Sequence, residues 1–303
     1  MQHTYTYEGA LAASQRVHWR IEDIIGGDKR LDFTRPFLPE SLARTADLAF
    51  LTPYEKRTLN QIRGHAYLSI FGLVEEFILP FVLDHAREHV RDDDYRIRAL
   101  LQFAGEEAKH IQLFKKFSEE FKRGFGIECG VIGPPAEIAR AVLLHDPLAV
   151  ALAILHIEWM TQRHFLVSVK DDTGIDPQFA SLLRYHWMEE AQHAKLDTLM
   201  VEALAEGRPE SKIASAVEEY LEIGMLIDGG LLQQVEFDMQ ALMRATRRTL
   251  SSKEKSEFRN AQRAANRWTY LGSGMTHEAF LGTLERLGAG ARDRIEAVSP
   301  VFC

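Results

Sequence analysis

Basic excess, cysteine and strand-like alternation are what this chain has least of. Its 36 Lys and Arg are outnumbered by 44 Asp and Glu, for a net charge of -8. A phosphate-binding surface normally shows as the opposite balance, so nucleic acid is not the expected partner. The two cysteines, Cys129 and Cys303, are too few for a disulfide framework. Residues 1–7, MQHTYTY, offer neither a basic start nor an apolar signal core. Together these features point to a cytoplasmic protein. The most apolar windows, such as 141–157, are interrupted by His145, Asp146 and Pro147. None supplies the roughly twenty consecutive apolar residues of a membrane span, so no membrane insertion is expected.

What is abundant is helical periodicity. Apolar stripes of period 3.6 cover roughly 54–90, 93–124, 146–171, 176–206, 211–248 and 252–288. Between them lie clusters of helix breakers: Asp92-Asp93-Asp94, Gly124 to Pro135, Asp146-Pro147, Asp171 to Gly174, Gly207-Arg208-Pro209 and Ser251-Ser252. Several of these put an Asp or Ser at a helix N-cap. The pattern predicts one all-α domain across 1–303. It has an N-terminal arm over 1–50, a four-helix core over 54–206 and covering helices over 211–288. The stretch 124–147 is the long crossover that a bundle needs between its second and third helices. Pro80 removes a backbone donor within the first long helix and is a candidate kink.

The core region is an internal repeat. Glu106-Glu107-Ala-Lys-His110 is echoed by Glu189-Glu190-Ala-Gln-His193. Each phrase follows an apolar-flanked Glu by the same interval, 32 positions from Glu75 to Glu107 and 32 from Glu158 to Glu190. Three residues apart on a helix means one face, so each phrase can present a carboxylate and an imidazole inward. Chance alone supplies about one Glu-x-x-His in a chain of this composition. The joint pattern is what carries weight. One Glu from each of two helices and Glu-x-x-His from each of two others is the donor inventory of a two-metal carboxylate site in a helix bundle. Four carboxylates and two neutral imidazoles around two divalent ions sum to zero charge, and hard oxygen donors suit iron or manganese.

Three further assignments follow. Equal spacing and the apolar stripe around it favour Glu75 over Glu76, which stays open as an alternative or as a neighbouring carboxylate. Glu106 and Glu189, rotated about 100° from the ligand positions, can accept from a ligand imidazole and set its tautomer, or they are solvated carboxylates. His186, four residues before Glu190, is either a third imidazole ligand or a core histidine. Space for a substrate is expected one turn from the ligands, at Phe71, Gly72, Phe103, Ala104, Leu155, Thr161, Gln162 and Phe165. Gly72 and Ala104 serve equally well for close helix packing. A competing string, His85-Ala-Arg-Glu88-His89, matches the inverted zinc-peptidase pattern, but its charged surroundings read as a solvated helix end.

At these residues the chain resembles the ferritin-like di-iron carboxylate superfamily, and within it is most similar to the p-aminobenzoate N-oxygenase family. The resemblance covers about 65–200. It implies a ferritin-like four-helix bundle with Glu75, Glu107, Glu158 and Glu190 as carboxylate ligands and His110, His186 and His193 as imidazole ligands. The implied cofactor is two iron ions, with manganese or a mixed Mn/Fe pair as alternatives. The implied activity is O2-dependent oxidation of an amine or similar group on a small molecule. An electron donor, a reductase or ferredoxin, would serve it, and a homodimer is compatible with it. Glu106 and Glu189 depart from the Asp usual in that family. Ribonucleotide reductase small subunits resemble the layout too, but Phe114 stands where their radical-bearing Tyr is placed. Iron oxidation or storage without an organic substrate, and metal-dependent hydrolysis, remain the alternative functions.

Overall fold

The structure is a computed structural model and describes residues 3–91 and 94–303. Two of the three residues of the Asp92-Asp93-Asp94 breaker, and the first two of the chain, lie outside the described residues. Among the described residues there is no strand, only an isolated bridge between Gly26 and Lys29.

The N-terminal arm carries three short helices, α1 (Tyr7–Ser14), α2 (Ile21–Ile24) and α3 (Glu40–Ala43). The core follows as α4 (Pro53–Glu88), α5 (Asp94–Phe125), α6 (Pro135–Leu143), α7 (Pro147–Arg163) and α8 (Pro177–Ala205). After it come α9 (Glu210–Thr246), α10 (Ser252–Arg267), α11 (Ser273–Met275), α12 (Glu278–Leu287) and α13 (Ala291–Val298). Start signals in the sequence act where they stand. Thr52 and Glu55 form a capping box at α4, Asp146 caps α7, Asp176 caps α8, and Ser251 with Glu254 caps α10. Each of these helices except α10 also has Pro at its first position, where the missing N–H costs nothing.

α4 packs on α5, and α7 on α8, with α5 also against α8. The two hairpins are joined by the crossover after Phe125, so the core has the ferritin-like arrangement of two helix pairs around one interior. The crossover is not structureless, since it contains α6, which packs on α4. α9 closes the other side of the bundle against α4 and α7. The stripe over 252–288 is broken, because a π-helical turn (Trp268–Gly272) and the Thr276-His277 turn separate α10, α11 and α12. α7 likewise ends in a π-helical turn, His164–Val169.

Among the described residues one helix, α4, is long and apolar enough to invite comparison with a membrane span. It has a window of mean hydropathy 1.8, and 61% of that window is buried inside the bundle. The same helix holds Glu75 in the interior. It runs unbroken past Pro80 to Glu88.

Several histidines are buried as neutral rings. Burial pushes His65 down to about 4, and His156 and His164 down to about 3. A base whose folded pKa is depressed leaves stability intact above its unfolded value, near 6.5, and removes it as pH falls through the interval below. The melting temperature should therefore fall as pH drops from about 6.5 towards 4. His65 stacks on Phe121 at 4.5 Å with its Nδ1 unpartnered. His65→Phe should show a flatter pH profile than the parent in the same melting series. An unchanged slope would remove His65 from this account.

Candidate metal centre

Four helices each turn acidic or imidazole side chains into one dry interior. Glu75 comes from α4, Glu107 and His110 from α5, Glu158 from α7, and His186, Glu190 and His193 from α8. All seven are at most 2% exposed. Spacing explains the inward aim: 107 and 110, and 186, 190 and 193, recur at three and four residues on single faces.

Within this interior the donors form two overlapping groups, each with its ligand-capable atoms within 4.8 Å of one another. One is Glu75, His110, His186 and Glu190, and the other is Glu107, His110, Glu190 and His193. Glu190 lies between them. Its Oε1 is 3.1 Å from His110 Nδ1 and 2.5 Å from His186 Nε2, while its Oε2 is 2.8 Å from His193 Nδ1. His186 Nε2 also lies 3.3 Å from Glu75 Oε1, and His193 Nδ1 lies 2.8 Å from Glu107 Oε1. Glu158 is in neither group. It is hydrogen-bonded to Glu190, and burial followed by the Glu190 charge pushes its carboxyl well above the usual range.

The outward nitrogens of two imidazoles are already engaged, and by the opposite phrase of the repeat. His110 Nε2 is 2.9 Å from Glu189 Oε2, and His193 Nε2 is 2.9 Å from Glu106 Oε2. With Nε2–H donated to a carboxylate, Nδ1 of each ring is left facing the centre. Each carboxylate is held in turn: Lys109 Nζ donates to Glu189 Oε1, and Gln102 to Glu106 Oε1. Burial would lower His110, but the Glu190, Glu189 and Glu107 carboxylates outweigh it and raise the ring to about 9. Burial would raise Glu190, and His186 and His193 hold it well below the ordinary value instead.

The donor set fits metal ions on the evidence of its own unsatisfied atoms. Glu75 Oε2, Glu107 Oε2 and Glu158 Oε2 are buried with no hydrogen-bond partner, while Glu107 Oε1, Glu190 Oε1 and His110 Nδ1 meet other members of the donor set. Buried polar atoms are normally paired, and unpaired carboxylates in a core are costly. A cluster of orphaned oxygens and imidazole nitrogens aimed at one another is what cations relieve. His186 is inside this cluster rather than a separately bonded core ring.

Other expected residues lie elsewhere. Glu76 is half-buried at a surface groove with Leu79, Pro80 and Ile111, pointing away from the centre, so it is neither the first ligand nor a supporting carboxylate. In the peptidase-like string, Glu88 is exposed and His85 is bonded to Arg96, which leaves no metal geometry. An apolar cavity of about 490 Å³ opens between α4, α7, α9 and the crossover. Of the eight expected pocket residues only Phe71 lines it. Phe103 stacks on His193 at 4.0 Å, and Phe165 stacks on Trp187 at 4.3 Å. A Cβ on Gly72 would meet Phe114 at 3.7 Å, an ordinary van der Waals contact, so that glycine faces the Phe114 ring rather than open substrate space. Ala104, Leu155, Thr161 and Gln162 are buried in the bundle off the cavity wall. One-turn proximity to a ligand does not say which side of the ligand is open.

Two neighbours of the centre, Trp19 and Asp197, were not expected from the sequence. Trp19, from the arm, stacks over His110 with ring centroids 6.1 Å apart and takes the Lys109 ammonium 3.8 Å above its ring. Asp197 is fully buried with both oxygens unpartnered, and burial pushes its carboxyl well up. Its position four residues after His193 was the available signal. Arm residues carry no periodic mark, so Trp19 and its Lys109 contact had none.

The carboxylates behind the imidazoles give a first expected result. Glu189→Ala and Glu106→Ala should each weaken metal binding by roughly 10 to 100-fold, as competition titrations against a chelator would measure. Equal affinity in variant and parent would reduce both to bystanders.

No protein-family model matches the chain, and no curated protein matches it. Solved structures with similar folds include a point variant of an R2-like ligand-binding oxidase with an aerobically reconstituted Mn/Fe cofactor. It is 16% identical over 88% of this chain and 93% of that one, with a TM-score of 0.47. A second variant of that oxidase with an anaerobically reconstituted Mn/Fe cofactor is 16% identical over 91% and 94%, TM-score 0.47. A third, with an Fe/Fe cofactor, is 17% identical over 88% and 93%, TM-score 0.43. The likeness is one of overall helical architecture and carries nothing about the chemistry of this chain.

Proposed function

We propose that this protein is a non-haem di-iron oxidase or oxygenase that uses O2 to oxidise a small organic molecule, an amine in the finer reading. The observation that supports it most is the pair of buried, overlapping donor groups sharing Glu190 and His110. A pair of redox-active metal ions held there, iron or mixed Mn/Fe, would supply the reduction of O2.

The chain's own residues do the rest. Glu75, Glu107, Glu158, Glu190, His110, His186 and His193 would hold the ions. Glu189 and Glu106 keep the Nε2 protons of His110 and His193 in place, which orients Nδ1 inward. Phe103, Phe114 and Trp19 pack aromatic faces or edges around the imidazoles and keep water out. A third imidazole, His186, enriches one group in nitrogen, which favours a catalytic over a storage role. A separate electron donor and a cytoplasmic setting complete the reading.

The test is aerobic reaction of iron-reconstituted, chemically reduced protein with a panel of arylamines under 18O2. Substrate-dependent O2 uptake with label in the organic product is expected. Ferric oxide accumulating far beyond about two irons per chain, with no product, would replace this reading by iron storage. Zinc as the isolated metal, with no O2 uptake after iron loading, would replace it by hydrolysis.

A further inference from the structure

We propose that the cavity between α4, α7, α9 and the crossover is the substrate chamber of the metal centre, and that it takes a neutral, apolar molecule rather than an anion. This rests on the oxygenase reading above and narrows its substrate class.

Proximity comes from the wall. Val74 and Ile157 line the cavity and directly precede Glu75 and Glu158. Phe71 lines it from one turn before Glu75, and its ring meets His186 edge-on with centroids 5.6 Å apart. One aromatic ring thus separates the chamber from the donor cluster. On the far side Met225, Leu226 and Gly229 of α9 are exposed and form the mouth together with Gly133 of the crossover.

Chemistry comes from what the wall contains. Among the described residues no Lys, Arg, His, Asp or Glu lines the cavity, and Gln233 and Tyr270 are its only polar side chains. Its volume, about 490 Å³, is that of a small-molecule site. A carboxylate placed against this wall would lose its hydration with no cationic side chain to replace it. A neutral arylamine loses little, and Tyr270 offers it one hydroxyl. The lining therefore favours an uncharged arylamine over an aminobenzoate.

Calorimetric titration of iron-loaded protein, kept anaerobic so that nothing turns over, tests this with a matched pair of probes: 4-butylaniline, neutral at pH 7.5, and 4-butylbenzoate. The aniline should bind roughly a hundredfold or more tightly than the benzoate. Gly230→Phe, which projects a ring into the cavity from α9, should abolish aniline binding and substrate-dependent O2 uptake while iron content stays at the parent level. Gln233→Arg, at an exposed rim position, should raise benzoate affinity at least tenfold with the fold undisturbed. Equal binding of the two probes, or undiminished aniline binding in Gly230→Phe, overturns the chamber assignment while leaving the metal centre standing. Absence of iron or of any O2 reactivity in the parent sinks the oxygenase reading itself, and the two failures are told apart on one sample by metal analysis.

Discussion

Glu190→Ala should leave the protein without either metal ion, whereas Glu75→Ala or Glu107→Ala should each remove about one of the two expected per chain. The asymmetry follows from membership. Glu75 belongs to one donor group and Glu107 to the other, but Glu190 and His110 belong to both. Glu190 also presents one oxygen to each side, Oε1 towards His186 and His110 and Oε2 towards His193. Metal analysis after reconstitution with excess ferrous iron reads the result directly. Full occupancy in Glu190→Ala would show that the two groups do not share that carboxylate. A structural consequence accompanies the loss. In the parent, chelation leaves carboxylates and imidazoles crowded without cations, and uncompensated buried charge typically costs about 3 to 5 kcal/mol. The parent should therefore melt lower after chelation.

The second large effect is on stability, at Gly274 of α11. A Cβ built there would overlap His156 Cδ2 and Nε2 and lie 2.8 Å from its carbonyl oxygen. His156 is buried, bonded through Nδ1 to the Tyr220 hydroxyl, and precedes Glu158 by two residues on α7. The ring cannot swing away without breaking that bond or overpacking its neighbours, so the added methyl must displace α7 or α11. Gly274→Ala should cost roughly 3 kcal/mol, which for a chain of this size lowers the melting temperature by about 5 °C. Gly229→Ala is the matched control, because nothing lies within 4 Å of a Cβ there. If both variants melt alike, the close approach of α11 to α7 is not as described. A displaced α7 should also shift Glu158, so reduced metal retention in Gly274→Ala would link the packing to the centre.

Much of this protein follows from local rules that act along single helices. The 3.6-residue period marks the long helices, and Asp146, Asp176 and Ser251 mark three of their starts, because a cap satisfies backbone donors within its own turn. The repeat of Glu-Glu-Ala-x-His, with its 32-residue lead, picks out six donors, and the position of His186 four residues before Glu190 adds a seventh, all of which the structure places in one interior. Same-face spacing is a property of one helix and is therefore legible without a fold. The break of 252–288 at Thr276 was not legible, since its apolar stripe continues through both π-helical and irregular turns.

Relations between helices belong to the tertiary structure. Only packing shows that Glu106 serves His193 and Glu189 serves His110, a crossed pairing between α5 and α8 that no spacing encodes. Packing settles the choice of Glu75 over Glu76 that spacing had favoured, and only packing brings Trp19 from the arm onto His110 and opens a cavity beyond Phe71 instead of beside Phe103 and Gln162. By itself the sequence determined that this is a chain of helices carrying two matched sets of carboxylate and imidazole donors. The three-dimensional fold decided which donors share an ion-sized space, which carboxylates brace them and on which side that space is open, because each depends on distances between side chains up to two hundred residues apart.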